Sequence, residues 1–109
     1  MKFLKLRKAL TRALPDVYHY SASPNLEQYI VWAEDGQRNA VYSGDSMEEQ
    51  TLQGTIDYFT KVEFDKVVEK LQESLSESKI PFRLNSIQRE ESTGYIHYEW
   101  VFEYGSNDD

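Results

Sequence analysis

No cysteine occurs among the 109 residues. Disulfides, thiolate zinc sites, thiol nucleophiles and cysteine-ligated iron–sulfur clusters are therefore excluded. Long apolar runs are equally missing. The longest, Tyr29-Ile30-Val31-Trp32-Ala33, falls far short of the ~20 residues that a membrane-spanning helix needs. Histidine occurs twice, without the HxH, HxxxH or HExxH spacing that would support a metal site. The five glycines never cluster into a phosphate-cradling loop, and there is no GxSxG. The paired acids Glu34-Asp35, Glu48-Glu49, Glu90-Glu91 and Asp108-Asp109 read as solvated turns. Glycoside chemistry asks instead for two carboxyls facing each other across a cleft roughly 5–9.5 Å wide. A chain this short also leaves little wall for a substrate pocket. The expectation is a soluble single domain spanning residues 1–109, with no catalysis, no cofactor and no metal.

What the chain does hold is aromatic and charged. Aromatic residues make up 14% of it and all hydrophobic residues 39%, enough for one core, beside 28% charged residues and a mean hydropathy of −0.69. The net charge of −7 is split unevenly. Lys2, Lys5, Arg7, Lys8 and Arg12 stand in residues 1–14 without an acid, giving +5. Residues 15–109 hold all nineteen acids and the other seven of the twelve Lys and Arg, a balance of −12. Such a body repels phosphate backbones, which argues against nucleic-acid binding. Tyr95, His97 and Tyr98 resemble a base-stacking platform, but Glu90, Glu91, Glu99 and Glu103 surround them against only Arg83 and Arg89. Aromatics in that setting suit a core and protein contacts.

Residues 2–14 read as a basic amphipathic helix. Phe3, Leu6, Leu10, Ala13 and Leu14 form its apolar side, Lys5, Lys8 and Arg12 share another face, and Pro15 ends it. Such a start also fits a targeting peptide or a membrane-surface anchor. The reading taken is a terminal helix packing on the domain. Strands are expected at 17–20, 27–34, 39–43 and 51–60, with a turn at Asp35-Gly36, an acidic loop at 44–50, and Gly54 at a bulge or a close backbone approach. Thr60-Lys61-Val62-Glu63 matches a capping box, with Phe59 and Phe64 at the staple positions. It would open a helix over about 60–78 with the stripe Phe64, Val67, Val68, Leu71 and Leu75. A hairpin, 82–90 with 94–104, closes the domain, and residues 105–109 read as a frayed acidic tail. The fold class is α+β: an antiparallel or mixed sheet of four to five strands, both helices on one face.

Three stretches in this order resemble a known family. They are Tyr29-Ile30-Val31-Trp32-Ala33-Glu34-Asp35-Gly36; Gln53-Gly54-Thr55-Ile56-Asp57-Tyr58-Phe59-Thr60-Lys61, leading to Asp65; and Leu84-Asn85-Ser86-Ile87-Gln88 with Thr93-Gly94-Tyr95-Ile96-His97-Tyr98-Glu99-Trp100. The chain is similar here, over roughly residues 15–104, to small phage and prophage minor capsid or tail completion proteins. Those are similar in turn to tail terminator and tail-to-head joining proteins of long-tailed phages. The motifs carry no chemistry; their combination and order carry the resemblance.

The resemblance implies a structural virion protein at the head–tail junction, made in the host bacterial cytoplasm. It would form a hexameric ring that stops growth of the tail tube and docks the head. Its partners would be other copies of itself, the tail tube protein and the head completion or connector protein, with DNA passing through unbound and no membrane involved. Asp45, Glu48 and Glu49 are then candidates for a negative lumen or rim, and Lys5, Lys8 and Arg12 for contact with a neighbouring subunit. The alternative is an acidic DNA mimic that inhibits a nucleic-acid-binding enzyme, suggested by Glu69, Glu73 and Glu77 at four-residue spacing.

Overall fold

The computed structural model describes residues 1–22, 24–38 and 51–109. The expected strand 39–43 and the loop carrying Asp45, Glu48 and Glu49 lie outside the described residues.

Helix α1 spans Leu4–Ala13 and buries Leu6, Ala9, Leu10 and Ala13, the apolar side expected from a 3.6-residue period. Strands β1 (Val17–His19), β2 (Gln28–Arg38) and β3 (Thr51–Thr60) follow, then helix α2 (Lys66–Glu77) and the hairpin β4 (Phe82–Arg89) and β5 (Ile96–Gly105). They build one five-stranded sheet in the order β1-β2-β3-β5-β4. β1 runs parallel to β2, and every other pair is antiparallel. The fold is α+β with a mixed sheet.

Residues directly opposite in the register share a face. Ile30 faces Tyr58 and Trp32 faces Ile56, while Ile56 and Tyr58 face Trp100 and Tyr98. This face, with Phe102 and Tyr104, meets Leu6 and Leu10 of α1 and Leu71 and Leu75 of α2 in a single core. Each such side chain contributes roughly 1.5–3 kcal/mol when fully buried. Gly54 is required where it stands. A Cβ there would lie 2.2 Å from the Ala33 carbonyl oxygen and 2.6 Å from the Phe102 ring, so the expected close approach is present.

Four local expectations are corrected. Asp35-Gly36 is no turn: β2 continues through it, and the register slips between Glu34 and Gly36, leaving Asp35 as the extra residue of a bulge. The basic helix starts at Leu4, because Phe3 is left-handed at φ 56° and precedes its first turn. The capping box is also absent. Thr60 remains the last residue of β3, and the α2 cap is Asp65, whose carboxylate accepts the Val67 N–H at 2.9 Å. Phe64 therefore leaves the apolar stripe and points to solvent, 91% exposed with φ 56°.

The fourth correction concerns residues 105–109. They are not frayed: Ser106–Asp108 forms a 3-10 turn that carries Asp109 to the start of α1. There the Asp109 carboxylate accepts the backbone N–H groups of Lys2 (2.6 Å), Phe3 (3.3 Å) and Leu4 (3.1 Å). The first turn of a helix leaves such donors unpaired and favours negative charge. No residue of α1's own sequence supplies a cap, so the other end of the chain does.

Candidate functional site

Three surfaces stand out among the described residues. The first is the sheet face away from both helices. Alternation places Tyr29, Phe59 and His97 there, from strands that pair side by side, and Tyr95, just before β5, joins them. Tyr29 stacks on Phe59 with ring centroids 4.8 Å apart, and Phe59 stacks on His97 at 4.2 Å. Tyr18 and Tyr95 meet Tyr29 edge-on. The Lys61 ammonium lies 4.9 Å from the Tyr95 ring centroid, within cation–π range. The Tyr95 hydroxyl donates to the Leu26 carbonyl and pins the aromatic row to the loop before β2.

At the centre of this face β3 and β5 place Asp57 directly opposite Glu99, a like-charge pair that destabilises unless something offsets it. His97 is the offset. Its Nε2 lies 2.7 Å from Asp57 Oδ1, and that hydrogen bond raises the imidazole above its ordinary value against the opposing effect of burial, helped by the charges of Asp57, Glu90 and Glu99. Asn85 Nδ2 donates to Glu99 Oε1 at 2.8 Å. Asp57, His97 and Glu99 are the one group with metal-type donors among the described residues, their ligand atoms lying within 4.8 Å of one another. Each is already engaged by a protein partner, so the arrangement reads as a hydrogen-bonded cross-strand cluster. The other histidine also lies among aromatics and beside a carboxylate: His19 is sandwiched between Tyr20 (4.0 Å) and Trp32 (3.8 Å) and bonds Glu34 at 2.9 Å.

No protein-family model matches the chain, and no curated protein matches it. Among solved structures the chain is similar to one from the virion of a native gene transfer agent particle. The TM-score is 0.49 and the identity 14%, over 90% of this chain and 91% of that one. A likeness at that level assigns neither family nor function.

The second surface is the outer side of α1. Of the three basic residues singled out in the sequence, two are held within the molecule. Lys5 Nζ pairs with Asp108 at 2.8 Å, and Arg12 donates to the hydroxyls of Ser74 in α2 and of Ser78, its C-cap, at 3.2 and 2.6 Å. Lys8 is exposed, as is Arg7. Leu4 stands beside them, 45% exposed.

The third surface is the flank where α2 meets the edge strand β4. Glu69, Glu73 and Glu77 line a shallow groove of about 510 Å³ together with Phe82. Farther along β4, Leu84 and Ile87 lie opposite Trp100 and Tyr98, on the helix side of the sheet, yet they remain 42% and 55% exposed. Sequence reading singled out the acidic row but missed these two aliphatics. Three residues apart, they would fall on opposite faces by strict alternation; the register slip between Leu84 and Ser86 brings both to the helix side, and the sheet order places β4 at the edge.

A buried hub ties the domain together. The Asp65 carboxylate, besides capping α2, accepts from the Thr60 hydroxyl (2.7 Å), the Gln28 side-chain amide (2.9 Å) and the Tyr58 hydroxyl. Burial acts to raise the Asp65 carboxyl, but these donors outweigh it and hold the group below the usual range. Tyr58 moves the opposite way, pushed well up by burial and by the adjacent carboxylate.

Proposed function

We propose that the chain is a structural virion protein that completes a phage tail at its head-proximal end, as a terminator or tail-to-head joining ring. The observation that carries the reading is the order of the three motif stretches. They occupy β2, β3 through to the Asp65 cap, and the β4–β5 hairpin, four strands that adjoin in the sheet. The motifs thus describe one continuous surface and its supporting core. Two further features support it: both helices pack on one sheet face, and the opposite face presents an aromatic row suited to protein contact.

In this role the protein acts by shape. Copies arranged around an axis would end the tube by covering its growing rim and would offer their other side to the head connector. Asp45, Glu48 and Glu49 would face the channel or its rim, repelling DNA over a screened distance of roughly 8–10 Å. Deletion of the gene tests the reading. The expected result is tails of abnormal length, or tails and filled heads that fail to join; normal infectious particles would overturn it. The acidic-mimic alternative has less support. Glu69, Glu73 and Glu77 share their helix with Lys66 and Lys70, which breaks any phosphate-like array.

A further inference from the structure

We propose that the groove between α2 and β4 is covered by the outer side of α1 from a second copy of this chain, in a head-to-tail contact. The inference deepens the assembly reading and rests on it for the presence of a second copy. It names the two faces that meet.

The groove defines its occupant. Phe82 and the acidic row Glu69, Glu73 and Glu77 line it, and the exposed Leu84 and Ile87 continue the apolar strip along β4 on the same side of the sheet. Because β4 is an edge strand, strand addition is the first occupant to consider. The register of β4 slips between Leu84 and Ser86, and Arg83 and Arg89 also stand along it. A bulge and charged residues are the devices that turn added strands away. A helix with an apolar residue set among cations fits both the apolar strip and the acidic row. The outer side of α1 has that composition: Leu4, Lys8 and Thr11 at i, i+4 and i+7, flanked by Arg7, with no acid in the helix. That ridge runs about 10 Å and the acidic row about 12 Å, at 1.5 Å per residue, so the two match in length.

The contact joins two unlike surfaces. Within one copy α1 already packs beside α2 through Arg12 and Ser74, so its outer ridge and the groove of the same copy are distinct surfaces. Two unlike surfaces can meet reciprocally about a two-fold axis or head to tail; the head-to-tail form proposed here propagates from copy to copy, and closes into a ring when the rotation allows.

The absence of cysteine gives a clean test. Leu4→Cys and Ile87→Cys are introduced singly and together, and each protein is treated with a short bis-maleimide, both purified and in assembled particles. The double variant is expected to give a ladder of covalent multimers. An equal mixture of the two single variants should stop at dimers, and either one alone should stay monomeric. Charge reversal adds a second readout. Lys8→Glu or Glu73→Lys should each weaken the ladder at least several-fold, and the two in one chain should restore it. Dimers from Ile87→Cys alone would mean a symmetric β4 contact and overturn the proposal. So would a double variant that stays monomeric or stops at dimers in both preparations, or charge reversals without effect. The outcome is separable from the tail reading: a ladder from a protein whose deletion leaves particles normal keeps the interface and discards that role.

Discussion

Replacing Asp65 by Ala removes one carboxylate and strands several donors at once. Tyr58 and Thr60 are fully buried, and each would be left with a hydroxyl whose acceptor is gone; an unsatisfied buried group costs about 1–3 kcal/mol. Losing the α2 cap adds about 0.5–2 kcal/mol. Gln28 keeps its bond to the Tyr58 oxygen at 3.0 Å and adds little. The sum is about 2.5–8 kcal/mol, a large part of the roughly 5–15 kcal/mol available to a domain. In urea, with a slope of about 1–3 kcal/mol/M, the midpoint should fall by ~2 M. Asp65→Asn should recover only part of this, because its amide nitrogen would face donors. Glu63→Ala, which the capping-box reading would make costly, should stay within about 0.5 kcal/mol as an exposed change. The Asp65 carboxyl is held low, so its stabilisation is present above the ordinary Asp value of 3.8 and is lost as pH falls below it; Asp65→Ala should flatten that acid limb. A midpoint within experimental error of wild type for Asp65→Ala, or equal losses for Asp65→Ala and Glu63→Ala, would refute the hub.

Other consequences follow from single contacts. Gly54→Ala should destabilise by about 1–3 kcal/mol or more, read from the same denaturation curves, because the backbone oxygen of Ala33 cannot yield as a side chain would. Phe64→Gly should be neutral or stabilising by up to about 1 kcal/mol, since it relieves left-handed backbone strain and gives up almost no burial. Asp109→Asn should leave the Lys2–Leu4 amides of α1 faster in hydrogen exchange. In the wild type the same loosening should appear only as pH falls below the ordinary Asp value of 3.8, because burial's opposing effect is outweighed by the Tyr104 hydroxyl and the amide donors, which hold that carboxyl low. His97 should titrate above 6.5 by NMR, and Asp57→Asn should bring its midpoint down.

Periodicity made the core legible. Leu6, Leu10, Leu71, Leu75, Trp100 and Phe102 repeat with the spacing of their elements, and all lie in the core. Local motifs misled where a distant partner decided the outcome. Thr60-x-x-Glu63 has the letters of a capping box, but Asp65 gathers donors from β2 and β3 as well as α2, and that network draws the helix start five residues later. Asp35-Gly36 has the letters of a turn, but pairing with β3 carries β2 through it. The acidic tail looked unstructured because its partners, the Lys2–Leu4 amides and Lys5, stand more than a hundred residues away. Of the candidate assembly residues, the charge of α1 was visible in the sequence. The engagement of Lys5 and Arg12 within the molecule, and the exposure of Leu84 and Ile87, depend on sheet order and helix placement.

Localising the protein in assembled particles tests the central claim most directly. Particles carrying an epitope-tagged copy, labelled with gold and imaged by electron microscopy, should show label at one place per particle, the junction between head and tail. Label spread along the tail, concentrated at its distal tip, or absent from complete particles would contradict the account.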